Sequence, residues 1–210
     1  MPHTGQAASL LLAFALALLP AVGAEDPAAA PFDRETIVFI GSSSIAFWKS
    51  LPKDFPEMKT LNLGKPGTTY SHLVPRAAEW AARYPAKRYV IYSGDNDVAW
   101  LRKPEKVARQ FREVALALKA GIPDVRVYVI SIKPNRALAR RMRVGAARRA
   151  NELLESEAEA LGFATYVDIH ANMLREDGTP RRELFSIDGI HMNRDGYRVW
   201  AKSLRSLLGP

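Results

Sequence analysis

Short apolar runs alternate with longer amphipathic stretches from residue 36 to residue 208, and that alternation sets the expected architecture. Residues 36–40, Thr-Ile-Val-Phe-Ile, are β-branched and aromatic and stop at Gly41, the pattern of a buried strand followed by a turn. Residues 59–63, 88–92, 126–130 and 164–167 repeat it, leading into Gly64, Ser93-Gly94, Ser131 and Asp168. Between them, residues 71–83, 104–119 and 137–161 carry helical periodicity. Pro104 suits a first helical turn, and Gly121 and Gly162 stand just past the ends of their helices. A last helix is expected from about Asn193 to Leu208. Strands alternating with helices of this length predict an α/β fold with a five-stranded parallel sheet covered on both faces. In such a sheet ligands bind outside the carboxyl ends of the strands, so the chemistry is expected in the loops that follow them.

The first residues do not belong to that pattern. Residues 8–24 form an apolar Leu/Ala run broken by Pro20, with Val22 and Ala24 placed like a signal-peptidase site. The reading is a signal peptide over residues 1–24, cleaved after Ala24, and hence a secreted or periplasmic protein. No Lys or Arg precedes the run, so an N-terminal anchor is the competing reading, although the stretch is short for a membrane span. Residues 25–35, rich in Ala and Pro at their start, read as a flexible lead. Residues 36–210 form one domain, with no internal repeat or dividing linker.

Composition narrows the chemistry. A hydrophobic share of 48% and a charged share of 25% are ordinary for a folded chain. The absence of cysteine excludes disulfides, thiolate nucleophiles and cysteine-ligated zinc. Net charge is +8, and part of the excess lies in residues 136–149, where Arg136, Arg140, Arg141, Arg143, Arg148 and Arg149 fall on a helical-looking stretch. Such a stripe is either a solvated helix face or a peripheral contact for an anionic surface. Nucleic acid is not expected as a partner, because recognition motifs and interleaved aromatics are lacking. The sequence calls for no cofactor and no metal: Asp95 and Asp97 flank Asn96 without a second acidic cluster at ligand spacing. Oligomeric state is not legible.

Three polar, glycine-bearing clusters follow the first strands: Gly41-Ser42-Ser43-Ser44, Gly64-Lys65-Pro66-Gly67-Thr68-Thr69 and Gly94-Asp95-Asn96-Asp97. A fourth, Asp188-Gly189-Ile190-His191, precedes the last helix. A serine attacks an ester when a base takes its proton, the base is oriented and donors await the oxyanion. Ser42, Ser43 or Ser44 supplies the hydroxyl; Gly67 offers an unobstructed amide and Asn96 a side-chain amide. Asp188 and His191, three apart, can meet in one turn as orienter and base. Taken singly, each residue has a plain structural reading: Ser43 as a cap, Gly67 and Asn96 as turn residues. His72 reads as structural, and His170 in Asp168-Ile169-His170 lacks a following helix start. Trp48, Tyr70 and Trp100 are candidates to line a cleft or pack in the core.

The phrases Ile-Gly-Ser-Ser-Ser-Ile, Tyr-Ser-Gly-Asp-Asn-Asp-Val and Asp-Gly-Ile-His-Met-Asn-x-x-Gly-Tyr, in this order, resemble those of secreted bacterial SGNH (GDSL-type) hydrolases. The resemblance covers residues 36 to the C-terminus. It implies a flavodoxin-like three-layer α/β/α sandwich, in agreement with the strand and helix pattern and with the absence of a G-x-S-x-G elbow. It implies Ser43 as nucleophile, His191 as base and Asp188 as its orienter, with Ser43, Gly67 and Asn96 as oxyanion donors. Two departures stand out: Ser42 replaces a frequent family Asp, and Lys65-Pro66 precedes Gly67 where small residues are common. The activity implied is that of a serine esterase working through an acyl-enzyme on a small acyl ester, such as a carbohydrate O-acetyl group. The alternatives are a lysophospholipase- or thioesterase-type lipolytic hydrolase and a non-catalytic binder of anionic glycan or lipid on the same fold.

Overall fold

The computed structural model describes residues 32–209; the signal-peptide or anchor reading and the first part of the lead lie outside them. The five apolar runs are strands β1 (Ile37–Gly41), β2 (Thr60–Asn62), β3 (Arg88–Tyr92), β4 (Arg126–Ile130) and β5 (Ala164–Val167). They form one parallel sheet in the order β2-β1-β3-β4-β5, with Ile37 opposite both Thr60 and Arg88. This is the flavodoxin-like strand order. The central strands are apolar on both sides because both faces are covered.

Alternation along each strand divides the core in two. Val38, Ile40, Tyr89, Ile91, Val127 and Val129 face one cluster. Helices α3 (Tyr70–Leu73), α4 (Ala77–Arg83), α6 (Pro104–Gly121) and α8 (Val144–Leu161) supply its outer layer. Ile37, Phe39, Val90, Tyr92 and Ile130 face the other, covered by α1 (Ser43–Ala46), α2 (Leu51–Asp54) and α9 (Arg194–Leu208). Two further short helices, α5 (Asp95–Ala99) and α7 (Arg136–Arg140), sit at the carboxyl edge of the sheet.

The predicted helices differ from the observed ones where a backbone position cannot continue. The stretch expected as one helix over 71–83 is α3, a 3₁₀ turn at Val74–Arg76 and α4. Pro75 has no N–H to give and its ring collides with the preceding turn. The stretch expected over 137–161 is α7 and α8, separated at Met142, which takes a left-handed conformation at φ +50°. The break lets Arg141 and Arg143 donate to the carbonyls of Ala99 and Val98 at 3.3 and 3.2 Å, satisfying the open carboxyl end of α5. Arg149 pairs with Glu152 at 3.0 Å. The arginines of residues 136–149 therefore do not form one continuous stripe.

Residues 32–35, assigned to the flexible lead from sequence, are fixed to the domain. Phe32 packs edge-on against Tyr84 at 5.6 Å, Asp33 pairs with Lys59 at 2.7 Å, Arg34 pairs with Asp124, and Glu35 pairs with Lys87. Proline and alanine content stops being a guide once a large aromatic is available to anchor the chain.

Candidate functional site

The loop after β1 turns sharply because Gly41 holds φ +146° with its Cα against the neighbouring strand. A Cβ there would sit 1.9 Å from the Tyr92 carbonyl oxygen, so no other residue fits. The Ser42 amide donates to that same carbonyl at 3.0 Å, and Ser43 becomes the first residue of α1. Its side chain projects from the carboxyl edge while Ser42 and Ser44 are fully buried. The choice among the three hydroxyls, open on composition alone, is thus one of direction. Ser44 points into the protein, and the Ser42 Oγ is buried with no hydrogen-bond partner.

The fourth cluster is built around Asp188. Its Oδ1 accepts from the amides of Ile190 and His191 at 2.8 and 3.0 Å, and its Oδ2 meets His191 Nδ1 at 2.6 Å. Burial pushes this carboxyl up, but the Ile190 amide, the His191 ring and the His191 amide outweigh it and hold it below the ordinary value. His191 Nε2 then stands 3.1 Å from Ser43 Oγ. Serine, imidazole and carboxylate form one chain, with the imidazole placed to take the serine proton and the carboxylate fixing its tautomer. Phe47, partly exposed, packs edge-on against the imidazole at 5.1 Å.

Segments 148 residues apart meet here because the layer beneath them is tightly joined. The Tyr197 hydroxyl donates to the Ser44 carbonyl at 3.0 Å, and Trp48 stacks on Tyr197 at 5.2 Å. The Trp48 indole N–H donates to Asp54 at 2.7 Å, where Arg194 also binds at 2.6 Å. Asn193, cap of α9, accepts from the amides of Asp195 and Gly196 at 2.9 and 3.1 Å and so starts the helix immediately after the turn. Trp48 and Tyr70, weighed from sequence as possible cleft residues, are core; Trp100 is half-exposed.

The other two clusters converge on the same edge. Lys65 N donates to the Gly41 carbonyl at 2.9 Å, and the Asn96 side-chain amide donates to the Thr68 carbonyl at 3.0 Å. Among the described residues that leaves one Asn96 N–H without an acceptor. The amides of Ser43 and Gly67 also donate to no acceptor among the described residues. These uncommitted donors can receive negative charge. His72 serves the local backbone, its Nδ1 accepting from the Thr69 amide at 3.1 Å. His170 is likewise occupied, with Nδ1 2.8 Å from the Ile132 carbonyl oxygen.

A buried lysine under the site was not foreseen. Lys133 Nζ lies 2.6 Å from Asp95, 2.8 Å from Ser44 Oγ and 3.0 Å from the Tyr92 hydroxyl, and the side chain is fully buried. Burial raises the Asp95 carboxyl, but Lys133, the Tyr92 hydroxyl and the Asn96 amide together outweigh it and the net displacement is downward. The one sequence signal was position, since Lys133 lies three residues past the end of β4 and so falls on the functional edge.

Asp97, read from sequence as structural, accepts from the Tyr70 amide at 3.2 Å, while its other carboxylate oxygen is buried without a hydrogen bond. Burial, opposed by the Tyr70 amide and Arg102, pushes the carboxyl up to about 6. The folded protein thus binds this proton more tightly than the unfolded chain, whose ordinary value is 3.8. The resulting stabilisation is present below about pH 4 and is lost as pH rises through about 6. Asp97→Asn is expected to gain on the wild type by up to about 3 kcal/mol between about pH 4 and pH 7. Urea unfolding of both proteins at the two pH values measures the gain; a constant difference would mean that Asp97 titrates normally.

The relay lies at the carboxyl edge of a parallel sheet, and its serine has no G-x-S-x-G turn around it, so the arrangement is that of a three-layer α/β fold other than the α/β-hydrolase type. The chain belongs to the GDSL-like lipase/acylhydrolase family, whose model matches residues 40–199. No curated protein matches it. Among solved structures it is similar to a GDSL-like lipase from Bacteroides thetaiotaomicron, at 21% identity and TM-score 0.71, covering 83% of this chain and 88% of that one. A mutant acetyl-xylooligosaccharide esterase from a Geobacillus species is 18% identical with TM-score 0.68, covering 85% and 96%. A family 3 carbohydrate esterase from Clostridium thermocellum is 14% identical with TM-score 0.64, covering 83% and 98%. Among the described residues, no helix is long and apolar enough to cross a membrane.

Proposed function

We propose that this protein is a serine esterase acting on small acyl esters through an acyl-enzyme, with Ser43 as nucleophile, His191 as base and Asp188 as its orienter. The observation that carries the reading is the unbroken chain Ser43 Oγ, His191 Nε2, His191 Nδ1, Asp188 Oδ2 at 3.1 and 2.6 Å. Ser43 Oγ attacks the carbonyl carbon as its proton passes to His191. The oxyanion is received by the amides of Ser43 and Gly67 and by the Asn96 side chain. The protonated imidazole returns the proton to the leaving alkoxide, and a water activated by the same imidazole then releases the acid.

Short acyl groups, such as acetyl on a carbohydrate, are favoured by the setting of the relay. Asp188 and His191 are partly exposed, and no long apolar segment covers them among the described residues. The two carbohydrate-active esterases of similar fold support this choice. The apolar run at residues 8–24 supports a setting outside the cytoplasm.

Hydrolysis of p-nitrophenyl acetate, butyrate and octanoate by the protein tests the reading, together with inactivation by an organophosphonate and mapping of the adduct. Turnover falling with chain length and an adduct on Ser43 are expected. An optimum at octanoate would transfer the assignment to a lipolytic hydrolase, and no turnover with no adduct would leave a non-catalytic binder. Asn96→Ala is expected to lower kcat by about 10²–10³ with little change in KM, the effect of losing one oxyanion donor. Unchanged kcat in steady-state assays would remove Asn96 from the oxyanion site.

A further inference from the structure

One face of the turn that carries Asp188 forms the wall of a cleft of about 720 Å³, within the size range of small-molecule sites. The lining includes Ser186, Ile187 and Gly189 of the turn, and Arg136, Arg175 and Arg182 opposite, with no carboxylate. The three arginines differ in how far their charge is answered. Arg175 pairs with Glu183 at 2.8 Å, and Arg181, outside the lining, shares that carboxylate at 3.3 Å. The residue's own backbone amide and the Arg175 guanidinium pull the Glu183 carboxyl down to about 2, so Glu183 stays ionised and committed. Arg136 and Arg182 pair with no carboxylate among the described residues and make no side-chain hydrogen bond there.

Arg136 is also held against the turn. Its amide donates to the Gly189 carbonyl at 2.8 Å. Its side chain covers Gly189 so closely that a Cβ there would stand 3.0 Å from both Arg136 Cβ and Cδ. Gly189 adopts φ +66°, so the turn has the one residue that allows this approach. A guanidinium whose stem is fixed in this way, against the residue that follows Asp188, loses less freedom on binding than a free surface arginine. Planar guanidinium groups match carboxylates in paired, fork-like hydrogen bonds. The fully exposed Ile187 at the same rim adds an apolar contact of the kind a sugar ring's C–H face uses.

We propose that this cleft is a subsite for a carboxylate-bearing sugar, so that the enzyme's substrate is an acyl ester on an acidic saccharide of the uronic acid type. This rests on the esterase reading above for its biological meaning, but not for its test. The step would be ordinary hydrolysis: Ser43 takes the acyl group, and the sugar oxygen leaves with the proton from His191. The carboxylate stays intact, held by Arg136 and Arg182.

Binding is measured by calorimetry on the Ser43→Ala protein, which needs no turnover, using methyl glucuronide, methyl glucoside and glycerol phosphate. The glucuronide is expected to bind at least about tenfold more tightly than the neutral glucoside, and Arg136→Gln/Arg182→Gln is expected to abolish that difference. With Ser43 intact, Arg136→Gln/Arg182→Gln should hydrolyse p-nitrophenyl acetate as the wild type does, since that ester has no carboxylate for the arginines to hold and neither side chain hydrogen-bonds to the relay. Equal binding of the two glycosides, or a preference that survives the double variant, would reduce the arginines to solvated surface residues and overturn the proposal. Glycerol phosphate binding without glucuronide binding would overturn it in favour of a phosphate-bearing ligand. Failure of the wild type to hydrolyse p-nitrophenyl acetate, with glucuronide still preferred by the Ser43→Ala protein, would strike the esterase reading and leave the carboxylate site standing.

Discussion

Ser43→Ala is expected to remove essentially all ester turnover, by about 10⁶ in kcat, while leaving the fold and substrate binding in place. In the proposed mechanism this hydroxyl forms the acyl-enzyme, and among the described residues it is the hydroxyl that His191 Nε2 meets, at 3.1 Å. The neighbours offer no rescue. Ser44 Oγ accepts from Lys133 in the interior, and Ser42 is sealed beneath the loop. Asp188→Asn is expected to cost about 10⁴, because the His191 ring then loses the acceptor that fixes its tautomer. Since the residues act as one unit, the double variant Ser43→Ala/Asp188→Asn should be no slower than Ser43→Ala alone. Pre-steady-state kinetics with p-nitrophenyl acetate, supported by circular dichroism, checks both. Substantial residual turnover in Ser43→Ala would show that another group attacks.

Lys133→Met is expected to destabilise the protein by about 3–5 kcal/mol, the cost of leaving one member of a buried ion pair without its partner. Three groups lose their contact at once: the Asp95 carboxylate, the Ser44 hydroxyl and the Tyr92 hydroxyl. Asp95 is the worst placed, since burial alone drives its carboxyl upward and Lys133 supplies the largest opposing effect. Adding Asp95→Asn removes the stranded charge and keeps an acceptor for the Asn96 amide, which Asp95 binds at 2.9 Å. The double variant should therefore recover most of the lost stability in urea unfolding. Its kcat is expected to remain low, because Ser44 adjoins the nucleophile and Asp95 adjoins Asn96. Full recovery of both would mean that the pair serves stability alone. A loss below about 1 kcal/mol in Lys133→Met would mean that water reaches the pair.

The edge of the sheet explains why these effects concentrate there. Gly41 ends β1, Gly94 and Lys133 lie two and three residues past the ends of β3 and β4, and the helices that start beyond them are short. The site is thus made of loops held from below by β1, β3 and β4, with α9 delivering the last turn through Tyr197 and Trp48. Rigid strands set the positions, and the loops supply the chemistry.

The sequence by itself determined whatever depends on neighbours along the chain. Strand periodicity, helix starts at Pro104 and Asn193, and the meeting of Asp188 with His191 are all local, settled by residues no more than a few positions apart. The parallel sheet followed from the alternation of strands and helices. Tertiary structure decided what depends on distant partners. Which of three adjacent serines faces His191 is fixed by the Gly41 turn against Tyr92. Whether Lys133 is a surface charge or a buried cation depends on Asp95, Ser44 and Tyr92 arriving from other loops and strands. The break at Met142 exists because α5 ends where Arg141 and Arg143 can reach it. A charged side chain looks alike in sequence whether water or a carboxylate will solvate it, and only the folded chain supplies the answer.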